Sequence, residues 1–259
     1  MFADIFSALK SPWVWLYPGW VTFLVKYRET YLGPIWIIVG PSLFILVLGT
    51  LFGNVMGHKS ETFVPHLAVG LIIWGYINSI ASSSPRLYIR SRAALMQGSI
   101  NHMNLVMRMI CNATIVFLHQ ATIIIFVLVY YKIYPTAQIF YLIPAVALIF
   151  VHSIWILTVF GIIGARYRDL ADILEMVMRI AFLATPIIWI AGDSGRGSTV
   201  GKYLLMNPFY HVIEPFRGAL LGTPINPESW VISSIIAVVG LLIAAHFYKR
   251  FRHLVVLWT

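Results

Sequence analysis

Residues 185–222 read TPIIWIAGDSGRGSTVGKYLLMNPFYHVIEPFRGALLG and lie between two apolar segments of the kind that cross a membrane. Its apolar runs, 200–206 and 209–221, are each shorter than the roughly 20 residues that a membrane-spanning helix needs. Helices this short exist at membrane depth only where protein or water covers their polar ends. The stretch therefore predicts two short helices that enter the membrane from one side and return to it. Five charged residues also make it too polar to cross as one helix: Asp193, Arg196, Lys202, Glu214 and Arg217.

The composition of the whole chain is that of an integral membrane protein. Of its 259 residues, 60% are hydrophobic and only 10% are charged, against about 25% charged in soluble domains. The 18 Lys and Arg outnumber 9 Asp and Glu, which we attribute to cytoplasmic loops facing anionic lipid, and not to a nucleic-acid partner. The single cysteine, Cys111, cannot form an intrachain disulfide. No short apolar run with a cleavage site opens the chain, so a removed signal peptide is not expected.

Six membrane spans within one domain, residues 1–259, follow from the apolar segments. The fifth is the weakest, because only residues 180–191 lack charge; its extension back to Asp172 includes Glu175 and Arg179, which are spaced to pair on one helix face. The predicted fold is thus all-α, with spans one to five in residues 35–191, an extracytoplasmic re-entrant region at 192–228, span six at 229–248 and a cytoplasmic tail at 249–259. The first four spans are expected at 35–56, 63–85, 109–131 and 139–164.

Residues 1–34 are mixed in character and predict an N-terminal arm. Ser11 and Pro12 form a helix-start pattern, and aromatic residues then recur at helical spacing up to Lys26 and Arg28. An amphipathic helix lying in the cytoplasmic membrane interface accounts for this pattern. Because Pro18 and Gly19 interrupt it, an irregular arm packed on protein is the alternative.

The distribution of basic residues predicts the orientation of the chain. With six spans, 13 of the 18 Lys and Arg fall on the side that holds both termini, and 5 fall on the other side. Cytoplasmic loops are enriched in Lys and Arg, so both termini are expected in the cytoplasm and residues 192–228 outside it.

The sequence offers no pattern for chemistry within the chain itself. The run GRGSTVGK at 195–202 has arginine where a phosphate-binding loop needs its first glycine, and tyrosine follows Lys202 where Ser or Thr is required. The histidines lack metal-ligand spacing, so no metal site is expected. A polar stripe on the third span either lines a pathway or holds helices together: Arg108, Asn112, His119 and Thr122. No carboxylate lies deep in a span, which argues against a proton-coupled carrier, so any energy would have to come from elsewhere.

Several segments, in their order, resemble the permease subunits of ABC-2 type exporters that move polysaccharides such as O-antigen, capsule and teichoic acid. The segments read KYRETYLGPIW at 26–36, GLIIWGY at 70–76, RYRDL at 166–170 and TPIIW at 185–189, followed by NPF at 207–209 and EPFRG at 214–218. Many relatives carry prolines after the second span, whereas residues 91–104 contain none. This departure leaves the particular glycan open.

The resemblance implies a transport subunit that is not an enzyme and binds no cofactor of its own. Two copies are expected to pair with two copies of an ABC ATPase, which binds ATP and magnesium, in the bacterial inner membrane. The pathway for a lipid-linked polysaccharide would lie between the two permease copies. An exporter of a small molecule or peptide with the same fold is the alternative. A membrane enzyme would need a His, Asp or Ser cluster that the sequence lacks.

Roles for individual residues are expectations from this resemblance and from residue type. Sugar rings stack on aromatic faces, and the candidate pathway residues are Trp36, Phe44, Trp74 and Tyr76 together with Arg108, Asn112 and His119. Lys26 and Arg28 either attract the pyrophosphate of the lipid or follow the positive-inside rule. The segment expected to contact the ATPase holds Arg90, Ser91, Arg92, Leu95 and Met96. The expected extracytoplasmic gate holds Asn207, Pro208, Phe209, Glu214 and Arg217, the last two either pairing or lining the exit.

Overall fold

The computed structural model describes residues 1–55, 59–97, 100–190, 199–224 and 226–259. Helices make up 86% of the described residues, and no strand occurs among them, so the all-α prediction is confirmed. Four residues to which the sequence assigned a boundary or a charge lie outside the described residues: Met56, Gly98, Ala191 and Asp193. Arg196 and the first half of the glycine-rich run at 195–202 do so as well.

Twelve α-helices and three short 3₁₀ turns build the described part of the chain. The turns are Gly33–Ile35, Ser84–Arg86 and Ala137–Tyr141. The α-helices are α1 (Phe2–Lys10), α2 (Trp13–Arg28), α3 (Trp36–Val55), α4 (Ser60–Ser83), α5 (Leu87–Arg90), α6 (Arg92–Met96), α7 (His102–Tyr130), α8 (Leu142–Arg166), α9 (Leu170–Ala184), α10 (Thr199–Met206), α11 (Pro208–Leu221) and α12 (Pro227–Trp258).

Five helical segments of the described chain are long and apolar enough to cross a membrane. They match the predicted spans one to four and six: Gly33–Leu51, Ser60–Arg90, His102–Tyr130, Ala137–Arg166 and Pro227–Trp258. The third begins before residue 109 because Asn101 caps α7, its Oδ1 accepting from the Met103 N–H at 3.2 Å. The last continues to Trp258, so residues 249–258 of the predicted tail are helical.

The predicted fifth span corresponds to α9, which ends earlier than the apolar run. The residue before a proline is disfavoured in helical conformation, and Thr185, which precedes Pro186, is extended with ψ of 139°. With 15 residues, α9 is about 22 Å long. Its charged residues form a network at its first turns, where Glu175 lies 3.1 Å from Arg86 and 4.0 Å from Arg179.

Contacts between helix ends show how the long helices run relative to one another. α8 and α12 are parallel, because Tyr141 lies 6.1 Å from Trp230 at their beginnings and Arg166 lies 5.6 Å from Trp258 at their ends. α4 runs the same way, since Pro85, two residues after its end, approaches Gly164 near the end of α8. The chain between α8 and α12 therefore returns to the side on which α8 began.

The N-terminal arm is helical and packs on α7. Gly19 of α2 accepts a hydrogen bond from Asn112 at 3.4 Å through its carbonyl oxygen, and Phe23 of α2 is buried. α1 is tied to the other end of the chain by an ion pair of 3.2 Å between Asp4 and Arg252. The helical arm predicted from residues 12–28 is thus present, while Trp13 on its outer face remains 78% exposed.

Candidate transport site

The turn between α10 and α11 is fixed by one buried asparagine. The Oδ1 atom of Asn207 accepts from the backbone N–H groups of Phe209 at 3.0 Å and Tyr210 at 3.3 Å, which caps α11. Its Nδ2 donates to the Ala184 carbonyl and the Thr185 hydroxyl, both at 3.2 Å. Pro208 follows at the first helical position, where its missing N–H costs nothing. Asn207 thereby joins the turn to the end of α9.

An aromatic cluster lies directly beneath this turn. The ring of Phe209 contacts Trp74 of α4 edge-on with centroids 5.2 Å apart, and Phe182 of α9 lies 5.8 Å from the same indole. Trp74 is only 5% exposed. The beginning of α11 therefore packs well inside the helical bundle, far from the start of α4 at Ser60.

Phe44 and Trp74 line one groove of about 340 Å³ between α3, α4 and α7. Gly40, Pro41, Leu71 and Gln120 are also among its walls. Trp36 is half exposed and lies on the same face of α3 as Gly40 and Phe44, because residues four apart stack along a helix. The structure thus groups three of the four predicted aromatic residues around one side of α3.

Tyr76 lies elsewhere, in the interior between α4, α7 and α8. Its hydroxyl group is 3.0 Å from the hydroxyl of Ser153, its ring contacts Phe117 edge-on at 5.6 Å, and it is 5% exposed. The GLIIWGY segment consequently points its two aromatic residues in different directions.

The polar stripe of α7 faces the N-terminal arm. Arg108 donates to the Thr22 hydroxyl at 2.8 Å, Asn112 bonds α2 as described above, and the His119 ring lies 5.2 Å from Phe23. Thr122, the fourth member, bonds the His119 carbonyl of its own helix at 2.6 Å. Arg108, Asn112 and His119 thus join α7 to α2.

The basic residues expected at the cytoplasmic side are exposed. Lys26 and Arg28 both lie at the exposed end of α2, and Arg28 lines an open groove of about 450 Å³ with Tyr27 and Pro34. Lys26 contacts the Tyr27 ring at 5.4 Å.

The segment expected to contact the ATPase forms a short helix, α6, within residues 91–98. Arg90, Arg92 and Met96 are exposed, Ser91 is partly buried, and Leu95 is buried. α6 contacts α5 and α12. The two arginines are therefore available to a partner while Leu95 attaches the helix to the protein.

Glu214 and Arg217 form an ion pair of 3.6 Å one turn apart on α11. Arg217 is 3% exposed, and its Nη2 also donates to the Pro186 carbonyl. The sequence singled out neither Gly70, against which this guanidinium lies, nor Pro186 as a bonding partner. A glycine within an apolar helical run, such as Gly70, was the available signal, because it marks close approach of another group.

Five helices long and apolar enough to span a membrane, among the described residues, are the mark of a multi-pass membrane protein. The chain belongs to the ABC-2 type transporter family, whose sequence profile matches residues 19–221. It is similar to the O-antigen export system permease protein RfbA of Klebsiella pneumoniae, with 24% identity over 239 residues that cover 89% of this chain and 90% of that protein. The protein of the same name from Myxococcus xanthus is 24% identical over 197 residues, or 74% of each chain.

Family membership places this chain among the permease subunits of the inner membrane that work with an ABC ATPase. Within the described residues, no group of three or more His, Cys, Asp and Glu is arranged to hold a metal ion.

Proposed function

We propose that this chain is the membrane half of an ATP-driven exporter that moves a lipid-linked polysaccharide of O-antigen type across the bacterial inner membrane. The observation that carries the proposal is its similarity, over about nine-tenths of both chains, to a permease named for O-antigen export. ATP and magnesium are bound by the partner ATPase, and this subunit supplies the pathway.

Two copies of the chain enclose that pathway, with α3 at its wall. The groove beside Phe44 and Trp74 is open at the surface of the single chain, and Trp36 and Phe44 are 51% and 43% exposed. Aromatic rings on one face suit a glycan because sugar rings stack on them without a fixed sequence. Arg108, Asn112 and His119 support the pathway from outside it, by holding α2 against α7.

Six crossings and a re-entrant pair complete the proposed arrangement. Glu175 contacts Arg86 at the end of α4, and the Trp189 carbonyl contacts His66 near the start of α4. These two levels of α4 are about 30 Å apart, the thickness of a bilayer core. Residues 170–190 thus supply the return crossing that the parallel α8 and α12 require.

α10 and α11 then dip into the membrane and return. Their turn at Asn207 contacts Ala184 and Thr185, whereas Gly222 after α11 approaches Thr136 in the connection between α7 and α8. The pair shapes the extracytoplasmic exit, with Pro208 and Phe209 at its deepest point and Glu214 and Arg217 on the return.

At the cytoplasmic side, Lys26 and Arg28 attract the pyrophosphate of the lipid carrier, since exposed basic residues concentrate anionic headgroups. The ATPase contacts Arg90 at the end of α5 and Arg92 at the start of α6, so that ATP-driven closure of the ATPase dimer moves α6. Both termini lie in the cytoplasm.

The pathway is tested by alanine substitution of its exposed aromatic residues. Trp36→Ala and Phe44→Ala remove rings that are half exposed in the single chain, so folding should be preserved. We expect at least one of them to reduce surface glycan severalfold at equal protein level, with lipid-linked glycan accumulating inside the cell. Phe140→Ala removes a ring that is 72% exposed outside the groove and is expected to leave export unchanged.

Deletion of the gene tests the substrate class. Loss of surface glycan supports the proposal, whereas normal glycan together with failure to export a small molecule or peptide contradicts it and favours the alternative. Normal export by the Trp36 and Phe44 double variant would instead remove these two residues from the pathway.

A further inference from the structure

Arg217 joins three parts of the chain that are far apart in sequence. Its Nη1 lies 3.6 Å from a carboxylate oxygen of Glu214 on the same helix, and its Nη2 donates to the Pro186 carbonyl after α9. Burying a guanidinium group to 3% exposure is costly, and the contacts of its two Nη atoms offset part of that cost. The contacts of Arg217 therefore determine where α11 can lie.

Gly70 of α4 provides the space for this guanidinium. A Cβ atom at residue 70 would lie 2.6 Å from Arg217 Nη2 and 3.4 Å from the Ile187 side chain. Carbon atoms of real side chains do not approach other atoms to 2.6 Å, so any larger residue at position 70 would displace the guanidinium. Gly70 and Arg217 are consequently dependent on each other.

α4 also contacts residues 185–190 through His66, which lies one turn before Gly70. The His66 Nε2 atom lies 3.2 Å from the carbonyl oxygens of both Pro186 and Trp189. Pro186 ends α9 and exposes carbonyl groups that no helical N–H can satisfy. The carbonyl groups of Pro186 and Trp189 thus depend on side chains of α4 and α11 for their hydrogen bonds.

We propose that Gly70 and Arg217 are positioning residues for transport, which together with Pro186 and Glu214 form a clamp that holds α11 closed against α4. The proposal rests on the proposed function, in which α11 shapes the exit. The Nε atom of Arg217 has no hydrogen-bond partner among the described residues, and an unmet buried donor is costly. The clamp is therefore weaker than a fully satisfied one and can release α11 when the pathway opens.

The test measures the accessibility of α11 in the full chain, co-expressed with its ATPase in isolated membranes. Cys111→Ser removes the native thiol, and Ala219→Cys places a reporter at a position of α11 that is 1% exposed. We expect Gly70→Ala and Arg217→Met each to accelerate maleimide labelling of this thiol about tenfold, because each removes a hydrogen bond from a charged group.

The two substitutions should not add. If Gly70 acts only through Arg217, Gly70→Ala in the Arg217→Met background will change labelling no further. Arg217→Lys should label as fast as Arg217→Met, since one ammonium group lacks the fork that contacts Glu214 and Pro186 together. Additive effects, or full protection by lysine, would overturn the clamp.

Two controls separate local release from general loosening. Gly75→Ala introduces a Cβ that meets only the Gln120 side chain at 3.5 Å, and it should leave labelling unchanged. A second reporter, Ala237→Cys on α12, is at a position that is 2% exposed and should stay protected in every variant. Faster labelling at both reporters, or at neither, contradicts the proposal.

The transport consequence is read from surface glycan at equal amounts of assembled complex. Gly70→Ala and Arg217→Met should lower export while ATP hydrolysis continues, and unchanged export in both overturns the positioning role. The labelling requires no glycan, so the clamp can fail while polysaccharide export stands. If the chain proves not to export polysaccharide, the labelling result still stands.

Discussion

Gly164 of α8 approaches the backbone of Pro85 so closely that no side chain fits between them. A Cβ atom at residue 164 would lie 2.4 Å from both the Cα and the carbonyl oxygen of Pro85. Alanine is favoured over glycine inside a helix by about 1 kcal/mol, but backbone atoms cannot turn aside as a flexible side chain can. We expect Gly164→Ala to lower the thermal unfolding midpoint of the protein in detergent by about 2 to 8 °C.

Gly40→Ala is the matched control for this prediction. It also adds one methyl group to a long apolar helix, but a Cβ there would meet no atom within 4 Å. Its midpoint should equal or slightly exceed that of the wild type. Equal midpoints for Gly164→Ala and Gly40→Ala would show that α8 and residues 84–86 are not in contact.

These glycines show which contacts of individual residues the sequence cannot indicate. The sequence indicated the ion pair of Glu214 and Arg217, because residues three apart on a helix are neighbours. It could not indicate that Gly70 and Gly164 admit Arg217 and Pro85, since partners distant in the chain meet only through tertiary packing. For the same reason, the sequence could not show whether the polar stripe on α7 lines a pathway or joins helices, because its partner α2 is distant in the chain.

Among the helices, α6 and the end of α5 allow a direct test of the predicted contact with the ATPase. Arg90 and Arg92 are exposed on either side of Ser91, while Leu95 is buried. Replacing both arginines with glutamate reverses the charge that this segment presents to the ATPase. We expect this variant to weaken ATPase association about tenfold or more in co-purification, with the permease itself still folded.

The control reverses two exposed lysines at the opposite end of the bundle, Lys59 and Lys132, and so changes the net charge by the same amount. Association should persist in that variant. If both variants lose the ATPase, net charge explains the loss; if neither does, α6 is not the contact.

Most helices could be predicted from the sequence because a membrane span needs a long uncharged run, which is a strong local signal. The two short apolar runs likewise predicted α10 and α11, whereas the capping of α11 by Asn207 was seen only in the structure. The sequence predicted the length of α9 less well. Its apolar run continues past Thr185, and the steric effect of Pro186 on the preceding residue ends the helix within it.

Across the whole molecule, the direction of the helices constrains the number of crossings. α4, α8 and α12 run parallel, and the Asp4–Arg252 ion pair brings α1 to the end of α12. If α9 and residues 185–190 did not cross, α12 would have to start on the side where α8 ends. The 6.1 Å contact between Tyr141 and Trp230 at the beginnings of both helices opposes that arrangement.

Single cysteines in the Cys111→Ser background distinguish five crossings from six. Tyr134→Cys lies between α7 and α8 and Tyr167→Cys follows α8, at positions that are 76% and 64% exposed. Loops rich in Lys and Arg are expected in the cytoplasm. An impermeant maleimide should therefore label position 134 in intact spheroplasts, and position 167 only after the inner membrane is permeabilised. Lys202→Cys, exposed on α10, decides the count. If the chain crosses six times, position 202 will be labelled under the same conditions as position 134. If it is labelled only under the conditions that label position 167, residues 170–190 do not cross.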